Sequence, residues 1–250
     1  MYNKEISGFL SYLLSWSKFE AMALLKLNDK HIGTTAITTT VLWAAASVIY
    51  FTPAAIPGKI AIPVGVLAIS SLWMCPWQIT IGLLLSSSGD YMGSCGQLMG
   101  QMISFAAAHL FYIWFFIRRY FLKVEHDRKL TNKAKGYLAM VIFCAISLLG
   151  MACFRIAPGA EVGAIRIGVY IYAILICIMM ISALLQRSSL YALGAVLFVF
   201  SDFILAWDMF VEHIPHSNFL LMIPYFLAQW LLYIRSTSFR VGPEMRLMRF

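Results

Sequence analysis

Apolar residues fill this chain in eight long blocks with short polar breaks between them, at residues 34–51, 59–74, 77–92, 101–117, 136–154, 164–184, 190–209 and 219–234. Blocks of that length approach what a helix needs to cross about 30 Å of hydrocarbon. The blocks do not alternate in the roughly ten-residue rhythm of a membrane barrel. The pattern predicts an all-α, polytopic integral membrane protein with eight transmembrane helices. Pro57 and Gly58 open the second block, and Trp73, Pro76 and Trp77 mark an interfacial turn between the second and third. Ahead of the blocks, Ile6, Phe9, Leu10, Leu13, Leu14 and Trp16 give a loosely helical apolar pattern. Lys18, Glu20, Lys26 and Asp29 then recur too often for a span or a cleavable signal. The expected organisation is an interfacial segment at 1–33, one membrane domain at 34–235 and a basic tail at 236–250.

Composition agrees. Hydrophobic residues make up 61% of the 250 and charged residues only 12%, against about 25% charged in a soluble domain. Mean hydropathy is +0.80. The net charge of +8 would suit nucleic acid, but the basic residues cluster between apolar blocks. No aromatic-basic interleaving or zinc-finger spacing accompanies them, so no nucleic-acid partner is expected. Arg118, Arg119, Lys123, Arg128, Lys129, Lys133 and Lys135 crowd the break between the fourth and fifth blocks, which marks it as cytoplasmic. Eight spans then put both termini on that side. Of the 19 basic residues only Lys59, Arg155 and Arg166 are left opposite. The five cysteines form no paired framework and are expected as small buried thiols. A bacterial inner membrane is the expected location.

Two acids interrupt the apolar blocks. Asp202 sits inside the run GAVLFVFSDFILAW, from Gly194 to Trp207, and Asp90 follows Ser86, Ser87, Ser88 and Gly89. A carboxylate in a membrane helix costs about 2.5–3.5 kcal/mol on insertion scales, so each calls for a reason. Both blocks run in the same direction, which brings both acids toward the outer half, Asp202 the deeper of the two. Two carboxylates facing each other in low dielectric do not both ionise easily, so one keeps a proton and the pair supplies an acid and a base. The same arrangement suits a proton relay, and chemistry and transport are both open at this point. His109 and Tyr112, three apart, share one helical face, as do Tyr225 and Gln229, four apart. Lys59 opens the second block, where it anchors the helix or meets a phosphate. His213 and His216 lie near Asp208 and Glu212 but without metal-site spacing, and no metal or cofactor is expected. A serine-esterase elbow and a phosphate-binding glycine loop are both missing from the sequence.

Gly89–Asp90, AHLFY at 108–112, GAVLFVFSDFILA at 194–206 and PYFLAQ at 224–229 together resemble the YhhN/TMEM86 family of lysoplasmalogenases. The resemblance implies an eight-span hydrolase that cleaves the vinyl ether bond of lysoplasmalogens. The products would be a fatty aldehyde and glycerophosphoethanolamine or glycerophosphocholine. It makes Asp90 and Asp202 the catalytic pair. Lys59, His109, Tyr112, Arg187, Ser201, Tyr225 and Gln229 become supporting or substrate-binding residues. The expected partners are a lysophospholipid drawn from the bilayer and membrane lipids. Here Ile60 follows Lys59 in place of the family's usual proline, and Tyr91–Met92–Gly93 replaces a more leucine-rich stretch. An acid pair fits the reaction: one carboxylic acid protonates the vinyl carbon, and the other handles the water that captures the oxocarbenium ion. Asp202 is expected as the donor and Asp90 as the base beside the water. The alternative is a small-solute or proton-coupled transporter. That reading predicts paired repeats and broken helices, and no repeat is visible.

Overall fold

The computed structural model describes residues 30–124, 132–186 and 188–237. Among these, eight helical rods follow one another at the eight expected blocks. They are α1 (Lys30–Tyr50), α2 (Ile62–Met74, entered through a 3-10 turn at Lys59–Ala61), α3 (Trp77–Ser94), α4 (Leu98–Val124), α5 (Asn132–Met151), α6 (Ala164–Leu184), α7 (Ser189–Phe210) and α8 (Ser217–Thr237). The rod of α5 runs on through a π-helical turn at Ala152–Ile156 into a last turn at Ala157–Gly159. Residues 1–29 of the expected interfacial segment and 238–250 of the expected tail lie outside the described residues.

The breaks follow from local chemistry. Cys75 is extended ahead of Pro76, and α3 starts at Trp77, because the residue before a proline is driven out of the helical region. At the end of α3, Gly96 takes φ +73°. The Gln97 N–H reaches the Met92 carbonyl at 2.9 Å and the Gly96 N–H the Gly93 carbonyl at 3.0 Å. This is the paired closure that a left-handed glycine permits. It turns the chain into α4 within a few residues.

Five of the rods are long and apolar enough to cross a membrane: Leu98–Phe121, Ala139–Gly159, Ala164–Leu184, Ser189–Phe210 and Ser217–Thr237. The protein is therefore all-α and polytopic. The stretch Lys59–Met74 is apolar but shorter. The Gln78, Ser86–Ser88 and Asp90 of α3 lower its hydropathy below that of the five. Large apolar side chains such as Ile37, Ile69, Phe121, Phe143 and Phe154 point outward, as they would toward lipid.

Packing closes six rods into a ring. Helix α8 lies along α7, α7 along α6, α6 along α4, α4 along α3, α3 along α2, and α2 returns to α8. Helix α1 leans on α2 and α8 from outside, and α5 on α6. The seams of α3 against α4 and of α7 against α8 are the most extensive. Gly82, Ser86, Gly89 and Gly93 recur every three or four residues down one face of α3, a small-residue stripe of the kind that lets membrane helices approach closely. A β-carbon on Gly82 would sit 2.2 Å from the Tyr112 ring, and one on Gly89 3.0 Å from Phe105.

Tyr112 is fully enclosed, so its ring has nowhere to retreat. Gly82→Ala is therefore expected to destabilise the protein by about 1–3 kcal/mol through overpacking. Gly150→Ala, where no atom lies within 4 Å of the added carbon, is expected to be neutral or mildly stabilising. Thermal unfolding of the two variants beside wild type in detergent checks the contrast.

Candidate active site

Each of the two acids meets a tyrosine hydroxyl from another helix of the ring. Asp90, near the end of α3, is 2% exposed. Its Oδ2 accepts from the Tyr225 hydroxyl on α8 at 2.8 Å. Asp202, on α7, is half-buried. Its Oδ2 accepts from the Tyr172 hydroxyl on α6 at 2.5 Å. Helices α3 and α7 are not principal packing partners, and each acid is held by its own tyrosine.

Aromatic rings fill the space between them. Phe105 of α4 packs edge-on against Tyr225 (5.9 Å between centroids) and Phe198 (6.5 Å), and Phe198 against Tyr225 (5.6 Å). His109 sits one turn along from Phe105. Its ring meets Phe198 at 4.8 Å, Tyr172 at 5.3 Å and Tyr112 at 6.4 Å. It therefore touches the tyrosine of the Asp202 side and the network of the Asp90 side. In that network Tyr112 donates to Gln229 Oε1 at 3.0 Å and lies 3.4 Å from Ser86 Oγ.

Two polar atoms in this dry interior have no protein partner. His109 Nδ1 is 2.6 Å from the Phe105 carbonyl, so it carries the proton and donates, and Nε2 is left as an acceptor. His109 Nε2 and Gln229 Nε2 are both buried without a hydrogen bond, in side chains with no exposed surface. Buried polar atoms without protein partners are places where an internal water finds an acceptor and a donor.

Asp202 opens onto a cleft between α4, α5, α6 and α7. Its wall is otherwise aliphatic or aromatic apart from Tyr172, Gln101 and Cys177. The cleft lies where α5 stands off from the ring, meeting it at α6, at its π-helical turn and, through Gly159, at Phe210. Phe105 belongs to both settings: it lines the cleft and backs the Asp90 side. Asp90 itself lies behind that ring. The two acids differ in enclosure: α8 and Phe105 shut in Asp90, while Asp202 faces the gap.

The remaining expected residues fall into other settings. Lys59 Nζ donates to the Thr52 carbonyl at 2.8 Å and the Ala54 carbonyl at 3.3 Å, and sits 5.8 Å from the Tyr50 ring. It ties down the α1–α2 connection and does not line the cleft. Ser201 donates to the Leu221 carbonyl at 3.0 Å, joining α7 to α8 in the turn before Pro224. Arg187 lies outside the described residues. Asp208 accepts from the Ile214 N–H at 2.6 Å and pairs with His213 at 3.0 Å, closing the α7–α8 turn. Sequence reasoning passed over Tyr172. Its only signal was a hydroxyl in an aliphatic block, and Tyr170 two residues earlier, which is exposed, carries the same signal.

A profile of the YhhN family matches residues 72–236, a stretch that holds both acids, their tyrosines, His109, Tyr112 and Gln229 but not Lys59. The chain is 29% identical over 168 residues to a lysoplasmalogenase TMEM86B of Sus scrofa, covering 66% of this chain and 64% of that one. It is 29% identical over 131 residues to the lysoplasmalogenase TMEM86B of Homo sapiens, with 52% and 50% covered. The match to the Rattus norvegicus protein of that name is 30% over 131 residues, with 52% and 48% covered. The chain thus spans about half to just under two thirds of these relatives' length. No solved structure matches.

Removing the two tyrosine hydroxyls separates the two settings. Tyr225→Phe strips an enclosed acceptor of its donor and is expected to cost about 1–3 kcal/mol. Tyr172→Phe acts on an acid that already faces an open cleft and is expected to cost less. Thermal unfolding in detergent is the measurement, and the larger drop is expected for Tyr225→Phe.

Proposed function

The chain belongs to the YhhN family, and we propose that it hydrolyses the vinyl ether bond of lysoplasmalogens by aspartate acid–base catalysis. The observation that carries the reading is one carboxyl group, Asp202, in the wall of an otherwise apolar cleft of a membrane bundle. An alkenyl chain loses nothing by leaving hydrocarbon for such a wall, and the enol ether then meets the one acid in it. The names of the curated relatives point to the same reaction.

In the proposed sequence Asp202, as carboxylic acid, delivers its proton to the vinyl carbon β to the ether oxygen. The double-bond electrons form the new C–H bond, and the carbon bearing oxygen becomes an oxocarbenium centre. Tyr172, bonded to Oδ2, supports the carboxylate as charge develops on it. Water adds to the cationic carbon while Asp90 takes its proton, giving a hemiacetal. Collapse then breaks the bond to the glyceryl oxygen. Asp90 returns its proton to that oxygen and Asp202 takes the hemiacetal hydroxyl proton, so both acids regain their starting states. The unpartnered Nε2 atoms of His109 and Gln229 favour water on the Asp90 side. Phe105, between that side and the cleft, must give way for the two to meet.

The bundle is proposed to cross the bilayer with all eight rods, α1, α2 and α3 joining the five long ones. The basic α4–α5 connection and both termini would then share the cytoplasmic side.

Fatty-aldehyde release from lysoplasmenyl-ethanolamine and lysoplasmenyl-choline by purified protein tests the activity. Asp202→Asn and Asp90→Asn are each expected to lower turnover by roughly 10²–10⁴-fold with thermal unfolding intact. Well-folded variants that keep wild-type turnover would remove the acid pair from the mechanism.

A further inference from the structure

The cleft has a head end, and Lys59 is not there. Along α6 the lining residues Val169, Ala173 and Ile176 recur at helical spacing, and the position one turn earlier on the same face is Arg166. The lining residues Leu98 of α4, Ile156 of α5 and Met209 and Phe210 of α7 lie at the same end, where Gly159 meets the Phe210 carbonyl. The opposite, closed end is marked by Leu148, Ile176 and Cys177, well inside their helices.

Arg166 is held in place by backbone. Its Nε donates to the Ala160 carbonyl at 3.2 Å, and its Nη2 to the Ala160 carbonyl at 2.8 Å and the Pro158 carbonyl at 3.0 Å. These bonds fix the plane of the guanidinium and use one of its edges. Among the described residues no hydrogen bond engages Nη1, so a donor group is left over on a half-exposed side chain. Arg155 is exposed on the π-helical turn, between the lining residues Ala152 and Ile156. Glu161, the one acid of the α5–α6 turn, is exposed and forms no ion pair with either arginine among the described residues. The turn thus carries net positive charge beside the mouth of an apolar cleft. Irregular helical turns of this kind recur at functional sites.

We infer that Arg166 is the binding site for the phosphate of a single-chain lipid headgroup whose tail lies in the cleft, with Arg155 of the π-helical turn adding positive charge at the same end. The assignment rests on the proposed lysophospholipid substrate and takes the phosphate away from Lys59. A guanidinium held in one plane by carbonyls presents its free edge to phosphate oxygens at little entropic cost. The tail then runs from the turn past Asp202 toward Cys177, which sets the bond nearest the glycerol beside the acid.

Binding to purified protein tests the site without any turnover. The probes are 1-O-hexadecyl-glycerophosphocholine, whose saturated ether cannot be hydrolysed by this chemistry, and 1-O-hexadecylglycerol, the same molecule without phosphate. Wild type is expected to bind the phosphate-bearing lipid the more tightly. Arg166→Gln is expected to weaken that lipid roughly ten- to hundredfold and leave hexadecylglycerol unchanged; Arg155→Gln is expected to do the same to a lesser degree. Equal affinity of wild type for the two probes overturns the inference with no variant needed, which covers the case of an Arg166→Gln protein that fails to fold. So does an equal loss of both probes in folded Arg166→Gln. Inorganic phosphate is expected not to displace the lipid; displacement at millimolar phosphate would make this a free-anion site and overturn the headgroup assignment. Tight, phosphate-dependent binding without aldehyde release would sink the hydrolase reading and leave the headgroup site standing.

Discussion

A carboxyl group carried into a helix bundle needs a hydrogen-bond donor, because nothing in a dry interior replaces the water it left. Here a donor comes each time from a facing helix: Tyr225 of α8 for Asp90 and Tyr172 of α6 for Asp202. Those two bonds tie α3 to α8 and α6 to α7, and with them the ring has a fixed order. Much else follows from bringing these partners within reach. The glycines of α3 let α4 come close enough for Phe105 and Tyr112 to fill the interior. Gly194 does the same between α7 and α8, where a β-carbon would lie 3.3 Å from the Ala228 carbonyl.

The same constraint divides the interior into two environments. Around Asp90 the polar groups are enclosed: Tyr225 bonds the acid, and one turn along α3 and α8 a second set joins Gln229, Tyr112 and Ser86. Around Asp202 the wall is incomplete, because α5 stands outside the ring. An enclosed acid and an open one suit different roles in a reaction that needs a proton delivered to a hydrocarbon chain and taken from water. His109 stands between the two, its ring against the tyrosine of one acid and the network of the other. Its Nδ1 is committed to a backbone carbonyl, which fixes the ring and turns the bare Nε2 inward.

The architecture was legible to a large extent before any coordinates. Eight apolar blocks became eight rods because block length and the need to satisfy every backbone group in lipid leave helix as the one choice. Pro76 ended a helix where the sequence placed a turn. Asp90 and Asp202 stood out for the same elementary reason, the cost of an acid among Leu, Phe and Val. His109 with Tyr112, and Tyr225 with Gln229, were expected to share a helical face, and all four are buried. Each of these inferences concerns one segment and its solvent.

What the sequence alone left undecided are relations between segments. Nothing in the order of residues told Tyr172 from Tyr170, since both lie in one apolar block and only the placement of α7 turns the first toward Asp202. Lys59 had the right charge for a phosphate, but the fold of the α1–α2 connection spends its ammonium on two carbonyls. Arg166 drew no notice until the π-helical turn and the outward position of α5 gave α6 a cleft face. Composition and periodicity determine that a helix forms and which residues it cannot leave in lipid. Which helix supplies the partner, and where the wall is left open, is decided by packing, whose contacts join residues more than a hundred positions apart.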